Sequence, residues 1–455
     1  MLIPLTREVA EFIAGLRYES LPAQAVATVR NGMTDCTAVI ILGRHEPVVR
    51  ALRSVAASAS VQGEARLCFG AQRAAGAQAA LVNGTAAHAL DYDDIGLNSL
   101  QPTHPSAVLV PAIFAEAEAL GCTGREMIAA YAAGYEVWGE LASRERSPYH
   151  LKGWHPTATF GAVAAAAAAA RLHHLDAVQA AHAIGIAASQ AGGLVANFGS
   201  MTKPFHAGRA ASAGVLSARL AAAGMTAAPD ALEHRQGFLR ALSPAGEVDL
   251  EAPTCFAQRS WLVEDGLGFK LYPMCYGTHR ALDAVIALAR EHDLAASRIV
   301  DIVVEATDIQ MANLVHHDPQ TALHAKFSME FAVATALLTR RATLAEVADK
   351  FVQRPDVRSL MKKVRITVLP DPGSKRDRGP ALDGVIVTLD DGTRLERRFD
   401  LPLGHARRPA GQEAMWAKFA DCTRDAMDER EAHRLFECLQ TIEDLSSLSN
   451  LPVAD

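Results

Sequence analysis

Alanine is the residue type that most constrains the fold of this chain. The longest apolar run, residues 160–170, is almost entirely alanine. Alanine has the highest intrinsic helix propensity, and its small side chain lets neighbouring helices approach closely. Apolar residues also recur at helical spacing in several further segments, namely 23–42, 106–120, 125–142, 175–190 and 209–223. We therefore predict a large body made mostly of helices.

Composition and charge exclude several classes of protein. With 455 residues and 50% hydrophobic content, the chain can bury a core, which excludes disorder and leaves room for roughly two or three domains. The net charge of −7 argues against a nucleic-acid partner. The run at 160–170 is about half the length of a membrane helix, so no membrane partner is expected.

The N-terminus and the cysteines bear on the cellular compartment. Arg7, Glu8 and Glu11 occupy the positions where a signal peptide would have its apolar core, which argues against secretion. The seven cysteines are odd in number and form no CxxC pair, so neither a disulfide framework nor a zinc ribbon is expected. A cytoplasmic location is the prediction.

The pattern changes near residue 266, where strands are predicted. Two β-branched runs cover 298–307 and 364–369, and 384–399 suggests two strands around the Asp391-Gly392 turn. Helices are predicted between them at 276–293, 328–338 and 343–351, and helical spacing returns over 409–441. The predicted fold class is mostly α with an α+β part. A discontinuous helical domain (1–266 and 401–455) would enclose a smaller α+β domain (267–400).

The first polar cluster is NGTAAHALDYDD, residues 83–94. If 84–91 is helical, His88 and Asp91 lie three residues apart on one helix face. One interpretation is a divalent-metal site built from Asp91, Asp93 and Asp94, since Mg²⁺ prefers carboxylates together with substrate phosphates. The interpretation we favour is an Asp–His pair that fixes a histidine tautomer, with no metal ion.

Two further clusters each place a histidine immediately before a proline at the start of an apolar helix. His104 precedes Pro105 in PTHPSAVLVPA, and His155 precedes Pro156 in GWHPTATFGA. The N-terminus of a helix favours anions and offers free backbone N–H groups. The two histidines could therefore direct a base and several N–H donors at a carboxylate.

Basic and nucleophilic side chains gather in two more clusters. In GSMTKPFHAGRAA, three basic residues suited to holding a carboxylate or phosphate stand at a helix entry: Lys203, His206 and Arg209. In GFKLYPMCYGTHRA, four candidate ligand-binding residues lie at the predicted domain junction, where clefts often bind ligands: Lys270, Tyr272, Cys275 and His279.

The inventory of these five clusters favours one kind of chemistry. Histidine and lysine supply acid–base groups, while lysine, arginine and helix N-termini supply anion holders. This set suits removal of a proton next to a carboxylate, with cations stabilising the enolate-like charge. Such chemistry requires neither a metal nor an organic cofactor. No HExxH, GxSxG or GxGxxG motif supports a zinc protease, an α/β-hydrolase or a dinucleotide fold.

Taken in order, the motifs resemble those of the MmgE/PrpD family, which includes 2-methylcitrate dehydratase, cis-aconitate decarboxylase and iminodisuccinate epimerase. The resemblance rests on the five clusters together with AKFSMEFAVA at 325–334, and it covers about residues 5–440. It implies a homodimer whose subunits have a large helical domain built from both chain ends and a smaller α+β lid. It also implies a cofactor-independent site between the domains for small di- or tricarboxylates.

Family site residues carry over by motif to Asp91, His104, His155, Lys203 and Lys270. One position departs from the decarboxylase pattern. There a histidine follows the proline of the fifth motif by two positions, whereas this chain has Cys275. The catalytic acid would then be absent, supplied by the thiol, or moved to His279. This departure argues against decarboxylation of cis-aconitate.

The sequence thus predicts a lyase of the 2-methylcitrate dehydratase type. His104 and His155 are the acid–base candidates, and Asp91 would orient a histidine. The expected substrate-binding residues are Lys203, Lys270, Arg209, His206 and Tyr272, and a second proton relay would use Cys275 or His279. The alternatives are an epimerase of the iminodisuccinate type and an inactive helical scaffold or binding protein.

Overall fold

The computed structural model describes residues 4–57, 63–97, 103–258, 261–369 and 384–454. The chain divides into two compact units. The first unit combines Met1–Gly268 with Met415–Asp455, and the second is Phe269–Ala414. No helix in the described ranges is both long enough and apolar enough to cross a membrane.

The N-terminal segment of the first unit is helical with two small strand pairs. Its helices are α1 (Leu5–Gly15), α2 (Ala23–Gly43), α3 (Pro47–Ala57), α4 (Gly76–His88), α5 (Ser106–Leu120), α6 (Gly124–Ser143), α7 (Pro156–Leu172), α8 (Ala177–Ala188), α9 (Thr202–Ala222) and α10 (Phe238–Leu242). Two antiparallel pairs join β1 (Ala65–Arg66) to β2 (Arg73–Ala74) and β3 (Ile95–Gly96) to β4 (Leu267–Gly268).

The second unit packs helices against a four-stranded sheet. In chain order it contains α11 (His279–Glu291), β5 (Ile299–Thr307), α12 (Asp308–Met311), α13 (Ala322–Ala325), α14 (Met329–Thr339), α15 (Asp349–Val352), α16 (Pro355–Met361), β6 (Val364–Leu369), β7 (Gly384–Leu389) and β8 (Arg394–Arg398). The strand order is β6-β5-β7-β8, with β6 parallel to β5 and the other pairs antiparallel. After β8 the chain forms two more helices, α17 (Gln412–Thr423) and α18 (Glu429–Gln440), which lie largely in the C-terminal segment of the first unit.

Short 3₁₀ helices complete the described elements. They are Tyr18–Ser20, Tyr149–Lys152, Val195–Asn197, Cys255–Gln258, Tyr276–Thr278, Ala296–Arg298, Ile442–Asp444 and Leu448–Asn450.

The alanine-rich helix α7 lies at the centre of the first unit. Nearly all of its residues are buried, and α5, α6, α8 and α9 pack around it. Small residues let the backbones approach closely: a Cβ added to Gly214 of α9 would lie 2.3 Å from the Cβ of Ala165 in α7. The predictions of a mostly helical body and of an α+β part are both confirmed.

Several predicted helix boundaries differ from the structure, and three of these differences have a local cause. The helix predicted over 84–91 ends at His88, and Asp91 has a left-handed backbone with φ of 55°. Helix α9 begins at Thr202 rather than 209, because Pro204 falls in the first turn, where its missing N–H has no intrahelical role. The segment predicted as a helix over 343–351 is helical only from Asp349, since Glu346 instead closes a local turn by accepting the N–H of Thr343.

The second unit also extends beyond the predicted residue 400, to Ala414. Two residues of this extra segment bind the carboxylate of Asp283 in α11: the N–H of Leu403 at 2.7 Å and the guanidinium of Arg408 at 2.6 Å. These bonds hold residues 401–414 against the second unit.

Candidate functional site

The loop that follows α4 carries the carboxylates of the site. Helix α4 ends at His88, and the left-handed conformation of Asp91 turns the chain back. The Oδ2 atom of Asp93 then lies 2.9 Å from Nδ1 of His88 and 3.1 Å from Nδ1 of His104. The side chains of Asp93 and His88 are fully buried. A single buried carboxylate therefore joins two histidines.

Hydrogen bonds fix the tautomer of His104. The backbone oxygen of Asp94 lies 2.8 Å from Nδ1 of His104. A carbonyl oxygen only accepts, so Nδ1 carries the proton and Nε2 keeps its lone pair. The Asp93 carboxylate orients His88 in the same way, and among the described residues none forms a hydrogen bond with Nε2 of His88. Both imidazoles thus present a basic nitrogen away from Asp93.

Helix α7 delivers a third histidine to the same place. His155 is its N-cap residue, and the N–H of His155 donates to the carbonyl of Gly193 at 2.9 Å. The His155 ring centroid lies 5.8 Å from that of His88, which in turn lies 4.5 Å from that of His104. Nδ1 of His155 is 3.2 Å from Nδ1 of His206, so one of these two nitrogens donates to the other.

A lysine from α9 supplies the positive charge of the site. Nζ of Lys203 donates to Oδ1 of Asp91 at 2.9 Å, and both side chains keep a little under a fifth of their surface exposed. The ammonium also lies 5.4 Å from the ring centroid of Phe198, whose ring meets that of His155 edge-on at 4.8 Å. An anionic ligand could reach Lys203 from solvent.

Three histidines of the site, His88, His155 and His206, are held neutral. Burial lowers the pKa of His88 to about 4 despite the attraction of Asp93. Burial also lowers the pKa of His155 well below its usual value, and the nearby His88 and Lys203 lower it further. The pKa of His206 is lowered by burial and by Lys203. Neutral imidazoles at pH 7 can accept protons, which is what a general base must do.

Two adjacent aspartates have opposite protonation. Burial by itself raises the pKa of Asp93, but attraction to His88 and His104 and the bonds from their rings outweigh it, so the pKa lies well below the usual value. Burial raises the pKa of Asp94 to about 8 although Ser106 binds it. Asp93 is therefore ionised at neutral pH, whereas Asp94 is mostly protonated.

A hydrogen-bonded chain supports Asp94. The N–H of Ser106, the first residue of α5, donates to Oδ1 of Asp94 at 3.2 Å, and the Ser106 hydroxyl binds Oδ2. The hydroxyl of Tyr131 in α6 lies 2.6 Å from that of Ser106. These bonds fix the residue whose carbonyl sets the tautomer of His104.

Four side chains of this cluster could also bind a metal ion. One ligand atom from each of His88, Asp91, Asp93 and His104 lies within 4.8 Å of the others. Asp93 already binds the rings of His88 and His104, and the ammonium of Lys203 lies 2.9 Å from Asp91. A divalent ion would have to displace ring protons and stand beside a positive charge, so the donor set fits an acid–base cluster better.

The candidates of the fifth motif lie in the second unit. Lys270 is buried there, and Tyr272 donates its hydroxyl proton to Oδ1 of Asp283 at 2.6 Å. His279 is fully buried between the rings of Tyr272 and Tyr276, with Nε2 3.2 Å from the carbonyl of Met274. The remaining candidate, the half-buried Cys275, donates its backbone N–H to the carbonyl of Lys326 at 2.9 Å.

The structure brings together five predicted residues of the first unit: Asp91, His104, His155, Lys203 and His206. Arg209 instead bonds through Nη2 to Oε1 of Gln190 at 3.3 Å in an exposed position.

The helix predicted to carry Asp91 ends at His88, and Asp91 pairs with Lys203, while Asp93 contacts the rings of His88 and His104. The predicted site did not include His88 or Asp93. Both lie in the cluster NGTAAHALDYDD, residues 83–94, and that position was the available signal.

Comparison with known proteins shows the family of the chain. Models of the MmgE/PrpD N-terminal domain and the MmgE/PrpD C-terminal domain match residues 7–251 and 272–444, respectively. The chain belongs to the MmgE/PrpD family. As a member, it is an enzyme, a lyase of this family.

Three relatives are cis-aconitate decarboxylases. Those of Mus musculus and Homo sapiens are each 30% identical to the chain over 82% of its length, covering 77% and 78% of their own. The enzyme of Aspergillus terreus (strain NIH 2624 / FGSC A1156) is 24% identical over 98% of the chain and 95% of its own length.

Proposed function

We propose that this MmgE/PrpD member is a hydro-lyase of the 2-methylcitrate dehydratase type, acting on a small hydroxylated di- or tricarboxylate without a metal or organic cofactor. The observation that carries the proposal is the cluster in which Asp93 joins His88 and His104 beside neutral His155 and the partly exposed Lys203. Such a cluster combines a base with an anion holder.

His104 is the proposed general base. Because Asp94 and Asp93 hold its Nδ1 proton, Nε2 has the lone pair that takes a proton from the carbon next to the carboxylate. The resulting imidazolium lies beside ionised Asp93, which stabilises it. The electron pair left on carbon expels the β-hydroxyl group, and the proton held by His104 is returned to that group, so that water leaves and an alkene forms.

Lys203 is the proposed holder of the substrate carboxylate. Its ammonium would exchange part of its contact with Asp91 for the ligand and would oppose the enolate-like charge that develops as the proton leaves. His155, with His206 at 3.2 Å, is the second acid–base candidate. The roles predicted for Lys270, Tyr272, Cys275 and His279 remain part of the proposal, as do a homodimer and a cytoplasmic location.

A cis-aconitate decarboxylase is the second candidate, favoured by the names of the relatives. Decarboxylation breaks a C–C bond and needs a proton donor for the carbanion rather than a base. The lowered pKa values of His88 and His155 favour proton removal instead. Cys275 also stands where the decarboxylase pattern has a histidine.

Proton NMR of purified enzyme in D₂O tests the proposal with 2-methylcitrate, citrate, cis-aconitate and iminodisuccinate. Alkene formation from a hydroxylated substrate is the expected result. Loss of CO₂ from cis-aconitate alone would support the decarboxylase, and deuterium entering the α-carbon without alkene would support an epimerase. Either result would overturn the hydro-lyase.

Variants connect the activity to the site. His104→Asn and Lys203→Met should each abolish most of the turnover. His433→Gln is the matched control, because His433 lies half exposed on α18 and contacts Glu437 rather than the cluster. Unchanged turnover in both site variants would place the chemistry outside this cluster, whereas no turnover of any panel substrate by the wild type would favour a scaffold or binding protein.

A further inference from the structure

Helix α17, from the C-terminal segment of the first unit, places a lysine in the interior. The side chain of Lys418 is 2% exposed, and its Nζ lies 2.6 Å from Oδ1 of Asp35 in α2, itself 1% exposed. The same ammonium donates to the backbone carbonyl of Tyr92 at 2.8 Å and lies 4.2 Å from the centroid of the Tyr92 ring. Three groups thus hold Lys418 in one geometry.

The residue that Lys418 contacts lies in the middle of the site loop. Tyr92 stands between Asp91, which binds Lys203, and Asp93, which binds His88 and His104. The Tyr92 carbonyl belongs to the planar peptide group that joins Tyr92 to Asp93, so fixing its orientation restrains the backbone torsions of the loop at that point. The hydrogen bond from Lys418 to Tyr92 therefore constrains both carboxylates at once.

Stability alone gives a weak reason for an ion pair at this place. Burying an ammonium and a carboxylate is costly, and apolar residues of similar volume often serve the fold as well or better. A charged donor aimed at a single carbonyl, by contrast, supplies a strong and directional bond.

We propose that Lys418 is a positioning residue of the site, which fixes the loop Asp91–Asp93 through the Tyr92 carbonyl. Asp35 compensates the buried charge and aligns the ammonium. The inference rests on the proposed function only in taking Asp91 and Asp93 as parts of the working site.

Double variants that leave no charge at positions 418 and 35 (neutral pairs) separate the positioning role of Lys418 from its charge compensation with Asp35. Lys418→Met alone leaves the carboxylate of Asp35 buried without its cation, so its melting temperature should fall. Lys418→Met combined with Asp35→Leu removes both charges and should recover most of that loss. The positioning role predicts that kcat/KM of the double variant nevertheless stays about tenfold or more below the wild type, since the bond to Tyr92 is still missing.

The low-field NMR signals of the imidazole Nδ1 protons give a second readout that needs no substrate. In the double variant these signals of His88 and His104 should shift or broaden, because Asp93 is no longer held. Lys418→Gln combined with Asp35→Asn is a second uncharged double variant. The glutamine amide nitrogen ends one bond short of the position of the lysine Nζ, so the same change in the His88 and His104 signals is expected.

Arg144→Met is the matched control. Arg144 is a buried cation at the C-terminal cap of α6 that binds Glu140 and the carbonyls of Asp249 and Ala252. It should lower the melting temperature but leave the imidazole signals unchanged.

A double variant with wild-type kcat/KM and wild-type imidazole signals would overturn the positioning role. If the wild type turned over no substrate of the panel while the neutral pairs still shifted the signals, the proposed function would fail and the role of Lys418 would stand.

Discussion

Replacing Asp94 with asparagine tests the assignment of opposite protonation to two adjacent aspartates. Asp94 is fully buried. Burial is the main cause that raises its pKa to about 8, and the charges of Asp35 and Asp93 raise it further. An asparagine amide reproduces the hydrogen-bonding pattern of a protonated carboxyl group: its oxygen can accept from the N–H of Ser106, and its NH₂ can donate to the Ser106 hydroxyl.

The magnitude follows from the difference in pKa between the folded and unfolded states. The unfolded chain releases the Asp94 proton near its ordinary pKa of 3.8, whereas the folded chain keeps it up to about 8. Stability contributed by this group is therefore complete below pH 4 and decreases as the pH rises towards 8. At 1.36 kcal/mol per pKa unit, retaining the proton at pH 7 costs about 4 kcal/mol. Asp94→Asn avoids this cost.

The measurement is urea denaturation of wild type and Asp94→Asn between pH 5 and pH 8, together with kcat/KM at pH 7. The variant should gain stability over the wild type as the pH rises, and it should keep kcat/KM within about threefold, because the carbonyl that holds His104 stays in place.

Asp93→Asn is the matched comparison. Its amide oxygen can still accept a ring proton, but the negative charge beside the proposed imidazolium is lost. Hydrogen bonds to a charged group contribute about 1.5–3 kcal/mol, so kcat/KM should fall about 10²-fold. Equal losses of activity in the two variants, or a parallel pH dependence of stability in Asp94→Asn and wild type, would refute the reasoning.

Three further predictions concern packing, charge and metal. Gly208→Ala should lower the free energy of unfolding by about 1–3 kcal/mol, because its Cβ would lie 2.1 Å from the carbonyl oxygen of Leu81; Gly15→Ala, with no heavy atom within 4 Å of the new Cβ, is the control in urea denaturation. Lys203→Met should lower kcat/KM about 10²-fold with little change in melting temperature, since one substrate carboxylate loses its cation; an unchanged kcat/KM would remove Lys203 from the site. Activity should persist after EDTA treatment, because the Lys203 ammonium stands beside Asp91; loss of activity restored by Mg²⁺ or Zn²⁺ would assign the four candidate ligands to a metal.

Local patterns in the sequence were sufficient to predict most elements of the fold. The alanine run predicts α7, and the β-branched runs predict β5 and β6 within a residue, because propensity and apolar periodicity act over neighbouring positions. The strand order β6-β5-β7-β8 was not accessible in this way. It depends on which strands meet after the chain has folded.

The sequence also identified most residue types of the site but not their pairing. His104, His155, Lys203 and Asp91 were found from helix starts and from the family motifs. The partner of each residue was not found, because a contact such as that of Lys203 with Asp91 spans 112 positions and leaves no local periodic signal.

Where the carboxylates point was decided by tertiary structure. The termination of α4 at His88 moves Asp91 off the helix face predicted for it, and the position next to two histidines goes to Asp93. The bond from Lys418 to the Tyr92 carbonyl joins residues 326 positions apart, and the raised pKa of Asp94 arises from burial. Local sequence thus determined which helices and strands form and which chemical groups are present. Only the packing of distant segments determined burial, protonation and hydrogen-bond partners, because these depend on atoms that come together in space and not along the chain.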